Sequence, residues 1–314
     1  MIKKILKSNF LILLIVLIVV MGVMSSLSEY FLTADYLLNA TRFISETSII
    51  GLGMTLVILT GGIDLSVGSM MALSSVCLGL ACQAGIPAAA AVMLSLLVGV
   101  LGGGLNGYVV CKLKIPALIV TLATMGLFRG IALGISKGSA IPVPESVYYL
   151  GQGNIGPLPV QLVVTTLAYI LVAVFIYKSN FGTYLKGIGY NEEVAVFSGI
   201  KVTWNKVKAY MLSGFFAALL GVMFTCRVSS AKADYGNNYE MDAITIAVFG
   251  GASLAGGKAN FAGSYIAAVI IVFIRLGLTT AAIQTEIQSV IIGLILILAV
   301  AFNNFVASKK QVEL

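Results

Sequence analysis

The feature that most constrains this chain is the succession of apolar runs along it. The first, Phe10–Met24, follows a start that carries Lys3, Lys4 and Lys7. Further runs lie at roughly 44–60, 69–86, 88–111, 116–135, 160–177, 209–227, 242–256, 260–277 and 287–306. A helix that crosses a bilayer needs ~20 predominantly apolar residues. The runs therefore predict an all-α polytopic membrane protein with about ten transmembrane helices, the segment 242–256 being short enough for a half-helix or re-entrant piece. Hydrophobic residues make up 59% of the sequence and charged ones 10%, which leaves little room for a separate soluble domain. The first run has the look of a secretory signal, but no small-residue cleavage site precedes the next polar segment. It reads as a first transmembrane helix with its N-terminus inside.

Orientation follows from the lysines and arginines. The longest polar interval, Lys178–Lys208, holds Lys178, Lys186, Lys201, Lys206 and Lys208, and the positive-inside rule places it in the cytoplasm. On this topology 13 of the 19 basic residues face inward, so both termini are expected in the cytoplasm. The loop holding Glu29, Asp35, Arg42 and Glu46 then lies outside, as do the loops 136–159 and 228–242. Pro142, Pro144, Pro157 and Pro159 make the first of those two loops turn-rich rather than helical.

Several function classes drop out. The chain has no histidine, which excludes imidazole metal sites and histidine-based catalysis. Cys77, Cys82, Cys111 and Cys226 lie in or beside apolar runs and read as small core residues rather than a disulfide framework or metal ligands. The net charge of +7 is explained by topology, since no basic-aromatic module accompanies the lysines, and no nucleic-acid partner is expected. Ala252–Lys258 has the outline of a phosphate loop, but Ala252 replaces its first glycine and Ala259 its Ser/Thr. The chain does not bind ATP in that way.

Three local patterns carry chemistry. Within the cytoplasmic interval, Asn191–Gly199 (NEEVAVFSG) is suited to about two turns of helix. Asn191 is its N-cap, Glu192 and Glu193 complement the dipole in the first turn, and Gly199 ends it. A short capped helix between two spans is a candidate docking element. The second pattern is the break 60–69, TGGIDLSVGS, where Gly61, Gly62 and Gly68 weaken a helix and Asp64 places a carboxylate amid apolar sequence. Irregular backbone at membrane depth is tolerated only inside protein or beside a wet cavity. Asp64 thus faces a pathway or gate, or caps the helix that begins near Leu65. The third is a second break, 250–257, which repeats the three glycines and the leucine of the first; it hints at an internal duplication, or its small residues simply let helices approach closely. Asn106, Thr121, Thr124, Arg129, Thr245, Arg275 and Gln288 lie within runs as candidates to line a path. Arg129 and Arg275 are expected to snorkel to the outer surface.

Three stretches then resemble a known family. They are Gly51–Ser69 (GLGMTLVILTGGIDLSVGS), Ile188–Val202 (IGYNEEVAVFSGIKV) and Gly236–Gly257 (GNNYEMDAITIAVFGGASLAGG). All are similar to segments of the permease subunits of bacterial ABC importers for simple sugars, the group that includes ribose, rhamnose, galactose and furanosyl quorum-signal importers. The likeness extends from about Phe31 to Phe302. Val194-Ala195 stands where that family commonly has paired alanines, and Lys258-Ala259-Asn260 replaces a more glycine-rich continuation.

The resemblance implies a single transmembrane permease domain over 1–314 in the bacterial plasma membrane, with no cofactor and no catalysis of its own. ATP and magnesium would be held by partner ATPase subunits. Those subunits would dock on Asn191, Glu192, Glu193, Ala195, Ser198 and Gly199. The gate and path would be built from Gly61, Gly62, Asp64, Ser66 and Gly68 together with Gly250, Gly251, Gly256 and Gly257. An extracytoplasmic sugar-binding protein would meet Tyr235, Asn238, Glu240 and Asp242, and a second permease copy or a sister permease, embedded in the same lipid, would complete the path. Read from residues alone, an ion-coupled secondary transporter using Asp64 stays open beside this.

Overall fold

The computed structural model describes residues 9–27, 31–295 and 297. Its helices are α1 (Asn9–Leu27), α2 (Ala34–Leu59), α3 (Val67–Gln83), α4 (Ala88–Leu113), α5 (Ala117–Ser136), α6 (Val160–Lys178), α7 (Asn180–Tyr190), α8 (Glu192–Phe197), α9 (Val202–Val228), α10 (Tyr239–Phe249), α11 (Phe261–Thr280) and α12 (Thr285–Ile295). Helices α2 and α9 form the centre. From Ile44 to Leu59 every side chain of α2 is buried, whereas α4, α5 and α6 turn leucines such as Leu97, Leu101, Leu122 and Leu171 outward. Lipid tails are as apolar as leucine, so helices meet where small residues let backbones approach. Gly99, Gly103 and Gly107 of α4 do this along one face. A Cβ at Gly107 would meet the backbone of Val207, and one at Gly103 would strike the Tyr210 carbonyl and Gly214 on α9.

Among the described residues six helices are long and apolar enough to cross a membrane, α2, α4, α5, α6, α9 and α11. This corrects the expectation of about ten. The run at 44–60 is the inner part of a longer helix, α2, of 26 residues. The run at 69–86 yields α3 with only 17 residues, because the chain turns at Ala84 and Gly85, the latter with φ of 77°. The run at 242–256 yields α10 with only 11 residues, since Gly250 and Gly251 stop it and Gly251 takes a left-handed conformation. The first run lies in α1, with the apolar stretch Leu13–Ser26, and the described part of the last run gives Thr285–Ile295. Both termini, and residues 298–306 of the last run, lie outside the described residues.

The outer loops are tied together. In the turn-rich loop Ile141–Pro142 pairs antiparallel with Ser230–Ala231 of the other loop, and a one-turn helix, Tyr149–Gln152, follows. After Ala231 the chain descends along α3. A Cβ on Gly79 would meet Ala231, whereas one on Gly68 would meet Gly236 and Glu240. Those two glycines are eleven residues apart on α3, so the loop drops by ~16 Å. Helix α10 thus starts beside the first turn of α3 and packs on α2, with Ile246 against Gly51. The loop 228–242 is a descending segment rather than a surface connector.

Candidate functional site

The first glycine break is a polar knot in an apolar interior. The Asp64 side chain is buried. Its Oδ1 accepts from the Ser66 backbone N–H at 3.0 Å and from the Ser66 hydroxyl at 2.6 Å. Its Oδ2 accepts from the Ser213 hydroxyl of α9 at 3.0 Å. The Ser66 Oγ in turn accepts from Asn106 Nδ2 of α4 at 2.8 Å, and the Thr121 hydroxyl of α5 donates to the Ile63 carbonyl at 3.1 Å. One carboxylate therefore turns the chain into α3 and fastens that turn to two neighbouring helices. A buried carboxylate needs this many donors to offset its lost hydration. Neither Ser213 nor Tyr210, whose hydroxyl lies against Gly62, stands out in the sequence.

Both glycine breaks converge on the end of α7. The Gly257 N–H donates to the Leu59 carbonyl at 3.0 Å, so the second break caps the last turn of α2. A Cβ on Gly256 would come within 3.0 Å of the Cα atoms of Gly61 and Gly189, and a Cβ on Gly189 would strike the Leu59 carbonyl and the Gly257 backbone. Gly256 and Gly257 have φ of 87° and 75°, which side chains rarely adopt. The sequence pairs the two breaks by similarity. The structure puts them in contact and adds Gly189, whose only sequence cue is its place in the GIGY stretch.

From Gly189 the chain runs directly into α8. Asn191 caps it, with Oδ1 accepting from the Val194 N–H at 3.0 Å, and Gly199 leaves it with φ of 78°. Ala195 is the buried anchor, packed with Ile188 and Val202. Lys206 of α9 pairs with Glu192, while Glu193 and Ser198 are exposed. The outward face carries Val194, Val196 and Phe197, the last 90% exposed. Between α8 and the first break lies a cavity of about 640 Å³ lined by Gly61, Gly62, Glu192, Glu193, Lys206 and Tyr210 among others.

Four arginines, Arg227, Arg275, Arg42 and Arg129, find partners within the fold. The Arg227 guanidinium clamps Glu46 with contacts of 2.5 and 3.2 Å, and Arg275 meets Asp242 at 2.6 Å. Arg42 donates to the carbonyls of Gly151 and Gln152 and to the side chains of Gln161 and Asn154. Arg129 donates to the carbonyls of Ala233 and Tyr235. Arg129 and Arg275 thus hold partners within the fold instead of snorkelling outward. Of the outer-loop residues, Asn238 is exposed with φ of 68° and Glu240 is half-buried. The Tyr235 ring packs edge-on against Phe224 at 4.8 Å, and Asp242 is sealed against Arg275. Thr245 bonds the carbonyl of Met241 on its own helix, Thr124 that of Thr121, and Gln288 folds onto Thr279 and Ile283.

Comparison with known proteins places this architecture. Residues 36–300 match the family described as the branched-chain amino acid transport system / permease component. The chain is 36% identical over 301 residues to the ribose import permease protein RbsC of Haemophilus influenzae, covering 94% of this chain and 93% of that protein. It is 38% identical over 291 residues to the ribose import permease protein RbsC of Bacillus subtilis, with 92% and 90% covered. The autoinducer 2 import system permease protein LsrD of Photorhabdus luminescens is 32% identical over 308 residues, with 96% and 92% covered. No solved structure matches.

Proposed function

The chain belongs to the family of branched-chain amino acid transport system permease components, and within that family we propose that its cargo is a simple sugar or sugar-like signal. It is the membrane-embedded permease subunit of an ABC importer, a multi-pass protein of the bacterial plasma membrane, and ATP hydrolysis belongs to a partner subunit. The sugar class rests on the relatives, which are named for ribose and autoinducer 2 import.

The observation that carries the coupling scheme is the continuous path from α8 to the two glycine breaks. The ATPase subunit docks on the exposed Val194, Val196 and Phe197 face and on the Asn191–Gly199 turn. Ala195 and the Lys206–Glu192 pair hold α8 to the bundle, so motion of α8 moves α7 with it. Gly189 passes that motion to the Leu59–Gly257 junction, where the end of α2 and Gly61 meet the second break, between α10 and α11. Glycines there accept a second backbone arrangement at low cost, and ATP-driven closure biases the junction between the two. Gly61, Gly62, Gly68, Gly250, Gly251, Gly256 and Gly257 then form the inner gate, and Asp64 with Ser66 maintains its shape. A second permease copy or sister permease supplies the other half of the path. An extracytoplasmic sugar-binding protein delivers cargo to the outer loops, where Asn238 and Glu240 are the reachable members of the expected set. The ion-coupled carrier reading loses ground because every Asp64 oxygen is engaged in a bond that shapes the break.

The test is purification from native membranes in mild detergent, followed by labelled-ribose uptake in vesicles containing the recovered complex. Co-purification of an ATPase and ATP-dependent uptake support the scheme. Glu192→Lys combined with Glu193→Lys is expected to leave ATP hydrolysis and abolish uptake. Uptake by the chain alone, driven by an ion gradient, would sink it.

A further inference from the structure

On the lipid-facing flank a groove of about 430 Å³ opens between α4, α6, α7 and α9. Its volume falls within the ~300–1,000 Å³ range of small-molecule sites. Phe175 and Phe181 form one wall with ring centroids 5.5 Å apart, and Val100, Met211 and Phe215 complete it, with Lys208 at one end. That end is the cytoplasmic one, since Lys208 sits six residues after Val202 at the start of α9 and Phe181 follows the last turn of α6. The groove therefore runs for about two turns of α9 from the inner headgroup level into the hydrocarbon.

Its charge is uncommitted. Lys206 is paired with Glu192, and Lys186 lies over the Tyr177 ring at 4.9 Å. Among the described residues the ion pairs are Lys206–Glu192, Arg227–Glu46 and Arg275–Asp242, so Lys208 has no carboxylate partner. An exposed ammonium at the mouth of an aromatic trough that faces acyl chains matches one ligand chemistry, an acyl chain below a phosphate. We propose that this groove is a binding site for an anionic phospholipid of the inner leaflet, with the phosphate on Lys208 and an acyl chain between Phe175, Phe181 and Phe215. Because α7 and α9 are the helices that flank α8, the bound lipid braces the segment that carries the docking helix. The site itself depends only on the membrane location of the chain and not on its cargo or its ATPase.

A tryptophan placed inside the groove supplies the probe. Trp204 is the only tryptophan in the chain and lies one turn before Lys208, on the cytoplasmic side of the groove mouth, so Trp204→Phe silences it, while Phe215 lines the groove two turns of α9 beyond Lys208 and Phe215→Trp puts an indole beside the acyl chain. The full-length chain carrying both substitutions is reconstituted in phosphatidylcholine vesicles doped with brominated phosphatidylglycerol or brominated phosphatidylcholine, and quenching of the tryptophan introduced by Phe215→Trp is titrated. Brominated phosphatidylglycerol is expected to quench at lower membrane fraction. Lys208→Gln is expected to reduce that preference about fivefold, the factor one lysine contributes near an anionic surface, while Lys208→Arg retains it. Lys201→Gln, an exposed lysine outside the groove, is expected to leave it unchanged. Equal quenching by the two lipids, a preference that survives Lys208→Gln, or a loss reproduced by Lys201→Gln overturns the site. Quenching by neither lipid also overturns it, because the groove is then covered by protein such as a second copy of the chain.

Discussion

Replacing Asp64 with alanine tests whether this carboxylate shapes the break or acts on what passes through it. The substitution removes the acceptor of three bonds, from the Ser66 N–H, the Ser66 hydroxyl and the Ser213 hydroxyl. A bond from a helix-start N–H is worth ~1 kcal/mol, and each hydroxyl bond to a charged acceptor ~1.5–3 kcal/mol. Against this stands the relief of a buried charge, several kcal/mol, and the Ser213 hydroxyl can turn back to a carbonyl of its own helix. The net loss expected is about 2–4 kcal/mol. Asp64→Asn keeps an acceptor for the Ser66 N–H and is expected to cost about half as much, and Ser213→Ala about 1 kcal/mol. Thermal unfolding of the detergent-solubilised chain, followed by the monodisperse fraction left after heating, ranks the three. Uptake by the assembled importer is measured alongside and is expected to fall in the same order. If Asp64→Ala unfolds at the wild-type temperature yet abolishes uptake, the carboxylate acts on cargo or a coupled ion and the shaping role is refuted.

Gly189→Ala is expected to block coupling more than folding, since the new methyl meets only backbone, the Leu59 carbonyl and Gly257. Overpacking of this kind costs ~1–3 kcal/mol, and ATP hydrolysis without uptake in the assembled complex is the result to look for. Phe197→Asp, on a side chain 90% exposed, is expected to leave thermal stability unchanged and to lose the ATPase subunit during purification; retention of the subunit would remove Phe197 from the docking face. Arg227→Met strands Glu46, a side chain only 2% exposed, and is expected to destabilise by ~3–5 kcal/mol. Adding Glu46→Gln should recover much of that loss, and a double variant no more stable than the single one would show that the pair is not what holds α2 to α9.

The elements legible in the sequence are those set by local chemistry. Asn191, the two glutamates and Gly199 delimit α8 because a cap, a dipole and a left-handed exit each involve neighbours in the chain. The glycine breaks are legible for the same reason. Hydropathy was a poorer guide to helix length. It scored 242–256 as a span, while in the fold Gly250 and Gly251 stop α10 after eleven residues. It also gave no hint that the 228–242 loop descends along α3, because the space it fills exists only once Gly68 and Gly236 meet.

What the amino-acid sequence by itself determined is the solvent of this protein, the capped helix at Glu192–Phe197 and the two interruptions rich in glycine. Only the tertiary structure decided that the interruptions touch each other and Gly189, that Asp64 is answered by Ser213 from 149 residues away, and that Asp242 is spent on Arg275. The physical reason is range. Helix capping, glycine flexibility and transfer to lipid act over a few residues or on one segment at a time, whereas the partner of a buried charge and the backbone that fills a glycine's missing side chain are set by how distant helices cross.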